Sequence, residues 1–369
     1  MEYHLQGNNT KVDMQASHAV GSSIKSGGDS TVVAGQDGKA HDLSITGSSI
    51  AAEGKVGLKA SNDILINNAE DNLHYEMSYH KEGGTFSSSK SEHNKIDATQ
   101  VVGSSITGGK GVAIDSGNNT EVVASTLVAG KAEETSGEKA LGDQKRADIT
   151  IHSGGNIVIK GAQEHYDQQQ QSSESSFLHE ESSDSSQSHS TTVSSILGAT
   201  GNIITQSDKQ TTITASHMFA NEDIHVTGEN VTIDGMTDHH KSHSQTHETG
   251  FGVGSGKGFV SIYGSEGKTE NEESFEHQGS SLNGKNINIT ATKKDVKVVG
   301  SDFTAQENIH VSAAHDINVL PGHNSHKSNS QEERTGFGFQ FEKSKSGASV
   351  GVGIASAKDT GDQWENSNT

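Results

Sequence analysis

Twenty-one histidines are the side chains of this 369-residue sequence best suited to chemistry. His239, His243 and His247 fall on one face of any extended strand, because side chains alternate with period two, and His240 falls on the other. Imidazoles spaced this way are a candidate metal set. A metal site, however, needs fixed, convergent ligands with outer hydrogen-bond partners behind them. These histidines lie in an acidic, Ser-rich stretch with nothing evident to fix them, so no metal and no cofactor is assigned. Imidazole gains charge near pH 6.5, so His-bearing segments are expected to respond to pH between about 7.5 and 5.5.

Other chemistries fail on residue type. Glycoside hydrolysis needs two carboxylates held roughly 5–10 Å apart. Lyase chemistry needs a basic group in a cleft, and the chain has two arginines, Arg146 and Arg334. Arg146 follows the loop 137–145, and Arg334 lies in a polar segment. Carboxylates on successive strands could still converge, which keeps a carbohydrate-active enzyme as a remote alternative. The sequence has no phosphate-binding loop and no His-Glu-x-x-His pair. The expected class is therefore not an enzyme.

Charge and composition narrow the partners. A formal charge of −21 repels phosphate backbones and anionic lipid, so no nucleic-acid partner is expected. Cysteine is absent, which removes disulfides and thiolate ligands. No apolar run reaches the roughly 18 residues of a transmembrane helix. The N-terminal stretch Met1–Thr10 has no basic and then apolar region of a secretory leader, so an exported protein is expected to be longer than this sequence.

Only 29% of the residues are hydrophobic, too few for one large core, so the elements must bury them thinly and repetitively or not at all. Periodicity decides for the former. Val56-Gly-Leu58, five residues and Ile64-Leu-Ile66 form an alternating pair, a polar turn and a second pair. The same grammar returns ungapped as Ile149, Ile151, Ile157 and Ile159, and again as Ile309, Val311, Ile317 and Val319. Gly-Ser-Ser-Ile precedes such pairs at Gly21, Gly47 and Gly103. Leu43 to Ile64 and Ile45 to Ile66 both span 21 residues. Three short strands in about 21 residues are the signature of a parallel β-helix. The single proline, Pro321, suits a chain full of laddered strands. These twelve aliphatic residues are the expected core, with Asp63, Asn156 and Asp316 at one structural corner.

Acidic, His- and Ser-rich segments interrupt the repeat. Coils are expected over 1–69, 97–162, 211–236 and 279–322, and arms over 70–96, 163–210, 237–278 and 323–369. The arms run into Gly-aromatic stretches, with Phe337, Phe339 and Phe341 alternating opposite Val350, Val352 and Ile354. That pattern predicts β-hairpins. Insertions between repeats often carry binding, so Phe251, Phe337, Phe339, Phe341, His239 and His243 are the candidate partner contacts.

The set formed by Gly47-Ser-Ser-Ile50, the pairs from Val56 to Ile66, the following Ala69-Glu70-Asp71 and the Ser/His-rich arms ending in Gly-Phe-Gly resembles the haemagglutinin repeat of filamentous-haemagglutinin-like exoproteins. The likeness is strongest to the second repeat region of contact-dependent growth inhibition effectors. The resemblance implies a right-handed parallel β-helix and export through an outer-membrane two-partner secretion transporter. It also implies display at the cell surface of a Gram-negative bacterium, facing a target or host cell, and help in delivering a C-terminal toxin. The alternative is a filamentous adhesin that binds host or neighbouring cells and delivers nothing.

Overall fold

A computed structural model describes residues 1–84, 87–130, 146–256, 258–344 and 347–368; all of its regular structure is β. Alternation builds the first of two assemblies. In Lys55–Ala60, Val56, Leu58 and Ala60 are buried while Lys55 and Lys59 face water. In Ile64–Asn67, Ile64 and Ile66 are buried and Leu65 is half-buried. So short a strand has no stability alone. Its backbone is satisfied by parallel neighbours above and below, which stack about 4.8 Å apart.

Eight coils stack in this way, one for each strand of an eight-stranded parallel sheet. The first six coils each have three strands. Coil 1 runs through Ser23–Ser26, Ser30–Ala34 and Leu43–Thr46, and coil 2 through Ser49–Ala52, Lys55–Ala60 and Ile64–Asn67. Coil 3 follows Ser105–Gly108, Gly111–Ser116 and Thr120–Val123; coil 4 follows Thr126–Ala129, Ile149–Ser153 and Ile157–Lys160. Coil 5 is Ser195–Ala199, Ile203–Ser207 and Gln210–Thr214; coil 6 is Ser216–Ala220, Ile224–Gly228 and Asn230–Asp234. Coils 7 and 8 fuse their first two strands, into Ser281–Ala291 before Val296–Val299 and Asp302–Ala313 before Ile317–Leu320.

Register aligns the inward side chains into columns. One reads Ile45, Ile66, Val122, Ile159, Ile213, Ile233, Val298, Val319 from coil 1 to coil 8. Another reads Val56, Val112, Ile149, Ile203, Ile224, Ile287, Ile309. Leu127, Leu197 and Leu282 stand 21 residues from their partners Ile106, Met218 and Phe303. Each isoleucine so enclosed contributes about 1.5–3 kcal/mol.

Of the expected core, Val56, Leu58, Ile64, Ile66, Ile149, Ile151, Ile157 and Ile159 are enclosed. The last coil differs. Val311 is half-buried, while Ile309 is 48%, Ile317 47% and Val319 74% exposed. These residues stand in the columns but are stacked on one side only, because coil 8 is the outermost coil of the stack.

The second assembly is a ten-stranded antiparallel sheet of hairpins alongside the solenoid. Glu2–Gln6 and Thr10–Ser17, which sequence places among the coils, form its first hairpin. Hairpins then follow coils 2, 4, 6 and 8: Ala69–Lys81 with Ser89–Val102, Ala162–Ser176 with His179–Val193, Met236–Phe251 with Phe259–Gln278, and His323–Ser344 with Gly347–Asn368. Residues 97–102, counted by sequence as coil, complete a hairpin strand. Residues 195–210, counted as arm, are coil 5, where Leu197 and Ile203 are fully buried. Loop 137–145 and Phe86 lie outside the described residues.

Candidate functional site: the hairpin sheet

The hairpins leave the solenoid at one corner, and a column of serines holds it. The amide of Ser48 donates to Ser104 Oγ (3.2 Å), that of Ser104 to Ser125 Oγ (3.1 Å) and that of Ser125 to Ser195 Oγ (3.3 Å). The column resumes where Ser216 donates to Ser280 and Ser280 to Ser301. Ser104, Ser195 and Ser280 begin the coils that follow a hairpin. Their hydroxyls donate to Asn67 O, Lys160 O and Asp234 O, each at 2.7 Å. Those carbonyls lie at the end of the preceding coil, so each serine ties the two roots of one hairpin together. At the direct turns the hydroxyl instead reaches back two residues, as from Ser125 to Val123 O. Such a turn requires positive φ, found at Gly47 (51°) and Gly300 (44°) and also at Ala124 (42°) and Ala215 (44°).

A second corner carries an Asx column. Asp63 Oδ1 accepts from the Asn119 amide (2.8 Å), Asn119 Oδ1 from Asn156 (2.9 Å) and Asn156 Oδ1 from Gln210 (3.1 Å). Asp295 accepts likewise from Asp316 (2.9 Å). Each carboxylate or amide oxygen thereby satisfies an amide of a neighbouring coil.

On the sheet, cross-strand register brings distant residues together. His74 and Lys95 both bond Asp97, and these two contacts, the imidazole's foremost, hold its carboxyl below the usual carboxylate range. The Ala19 amide and His18 do the same for Asp71. Glu174, Glu181, Glu248 and Glu266 stand side by side on four adjacent strands, followed by Arg334, whose Nε is 3.4 Å from Glu266.

The candidate histidines are placed but not gathered. His239 stacks on Phe275 (4.4 Å between centroids), with Nε2 3.1 Å from Glu273. His243 Nδ1 lies 2.7 Å from Asn271 Oδ1, and His247 Nε2 lies 3.2 Å from Thr249 Oγ1. Four residues along a strand span roughly 13 Å, beyond the reach of one ion. Among the described residues no three His, Asp or Glu side chains converge as metal ligands.

The candidate phenylalanines are gathered, roughly 45 Å along the strand from the hairpin root. Phe251, Tyr263, Phe337 and Ile354 form one cross-strand row; Val260, Phe339 and Val352 form the next, and Phe341 pairs with Val350. Phe251 meets Tyr263 edge-on at 5.7 Å. All nine lie on one face and are exposed, from 38% at Phe339 to 83% at Ile354. The opposite face is glycine: Gly250, Gly264 and Gly336 share a row, and Gly338 pairs with Gly353. A Cβ on Gly338 would fall 2.0 Å from the Val260 carbonyl oxygen, so only glycine fits there. Phe259 is buried on this second face, and Val253 in the adjoining hairpin loop is buried as well. Sequence alone did not single out Tyr263; its register beside Phe337 is the missing signal.

Comparison with known proteins agrees with this architecture. The hemagglutinin repeat family matches residues 3–139 and 260–369. Over 203 residues the chain is 24% identical to the tRNA nuclease CdiA of Escherichia coli (strain STEC_O31). That alignment covers 51% of this chain and 6% of the relative, so the chain spans a small part of the relative's length. No solved structure matches the chain. With a stacked repeat over the coils and a family match over more than half its residues, the chain belongs to the hemagglutinin repeat family.

Proposed function

We propose that this chain is a filamentous, non-catalytic segment of a secreted surface exoprotein and serves delivery of a contact-dependent toxin. The carrying observation is the unbroken set of interior columns. A stack that buries its apolar residues coil on coil extends by adding coils, and its contacts reach only neighbours. It is suited to holding something at a distance. A relative named as a tRNA nuclease fits a segment that carries a nuclease without being one. Family kinship supports export by a two-partner secretion transporter and display on a Gram-negative cell, facing its target.

The test uses the whole exoprotein that contains this segment. Residues 195–279, comprising coils 5 and 6 and the hairpin after them, are removed as one module, so that Ser280 of coil 7 takes the place of Ser195 of coil 5. Surface display should persist while inhibition of target cells is lost. Full inhibition by the shortened protein would sink the delivery role. Loss of cell attachment in a protein that inhibits nothing even when complete would establish the adhesin alternative.

A further inference from the structure

We propose that the aromatic face of the third and fourth hairpins is a self-association surface, on which a second copy of this chain seats its identical face. The chain itself shows how such a tip is completed. It buries Phe259 on the glycine face but leaves Phe251, Tyr263, Phe337, Phe339 and Phe341 bare on the other. The bare face holds no charged side chain in its three cross-strand rows. The same-face row bordering it toward the root is Thr249, Ser265, Thr335 and Ser356, a neutral hydroxyl rim.

Three features favour a second copy as the occupant. The first is shape. Phe337, Phe339 and Phe341 form an aromatic ridge on one strand, and Val350, Val352 and Ile354 form a lower aliphatic strip on the next. A two-fold rotation lays the ridge of one copy over the strip of the other. Large residues then meet small ones, as a packed two-sheet core at about 10 Å spacing requires. The second is area. The six side chains of ridge and strip offer on the order of 600 Å² per copy, the size of a reversible interface at the lower end of the specific range. The third is charge. Copies carrying −21 repel one another over most of their surfaces, and this uncharged patch is where close approach costs least.

The full chain, sedimented over about 1–100 µM, should show a monomer–dimer equilibrium. Ile354→Lys, at the most exposed position of the patch, should weaken the dimer at least about tenfold with an unchanged far-ultraviolet spectrum. Phe341→Ser is the second variant and should act in the same direction. A wild-type chain that stays monomeric throughout, or a dimer indifferent to both substitutions, overturns the proposal. So does a monomer that floats with neutral phosphatidylcholine vesicles and loses that property on Ile354→Lys; the occupant would then be a lipid surface.

Discussion

Ser195 is fully buried at the root of the second hairpin, where it receives the Ser125 amide and donates to Lys160 O. Replacing it with alanine leaves the buried Ser125 N–H without its acceptor and takes one of two donors from Lys160 O, which still accepts from the Ala124 amide, while removing almost no volume. Ser195→Ala should therefore cost about 1–3 kcal/mol, measured by urea unfolding. The loss should be concentrated at the hairpin root, where amide exchange of residues 161–162 and 193–196 would quicken. An unchanged midpoint would mean that the serine column is ornamental. The Gly-Ser-Ser landmark made part of this column legible, since at Gly47 the glycine before serine marks the turn with positive φ. Ala124-Ser125 and Ala215-Ser216 make the same turn without glycine, and a methyl-bearing residue at φ near 43° is what local rules advise against. Those two corners became visible only in three dimensions.

At the scale of elements, the hairpin sheet lives on cross-strand contacts. Asp97 and Asp71 are held below the ordinary carboxylate range by hydrogen-bonded partners. A carboxylate shifted downward lends stability above its unfolded pKa and loses it as pH falls through the folded value. The sheet should accordingly loosen from about pH 4 downward. Asp97→Asn should weaken it at neutral pH and flatten this acid response, followed by amide exchange in Ala69–Lys81 and Ser89–Val102. Acid loosening of unchanged steepness in the variant would exclude Asp97 as its source. The hairpins' existence was legible where Phe and Val alternate. The Gln/Ser-rich segment was expected among the arms, but its two strands Ala162–Ser176 and His179–Val193 could not be delimited, because such residues have little intrinsic strand preference. They are extended because strands on both sides supply backbone partners, a cause that no local window contains. Register across as many as 73 intervening residues, which lines up four glutamates or sets Tyr263 beside Phe337, is hidden from sequence for the same reason.

The whole molecule answers to its interior columns. Ile157 has neighbours in coils 3 and 5 and no exposure. Ile157→Asp buries a carboxylate without a partner, at a cost of several kcal/mol, and should melt adjacent coils together in a thermal scan. Phe337→Ser, distant from every column, should leave that transition in place. A wild-type melt for Ile157→Asp would mean that this side chain does not face the interior. The coil grammar was the most legible level of all, because alternating pairs within a unit of about 21 residues recur at Val56–Ile66, Ile149–Ile159 and Ile309–Val319 with no gap inside any copy.

The hairpins follow every second coil, and each brings two strands. Coils and strands share one spacing, so the two assemblies advance in step, like two rulers with the same graduations. Growth of the repeat by complete modules of two coils and one hairpin keeps them aligned over any length. Addition of a single coil would instead offset them by one graduation, a stacking fault that one assembly or the other must absorb by breaking. Lengthening or shortening of such filaments is thereby quantised, with the pair of coils as the indivisible step.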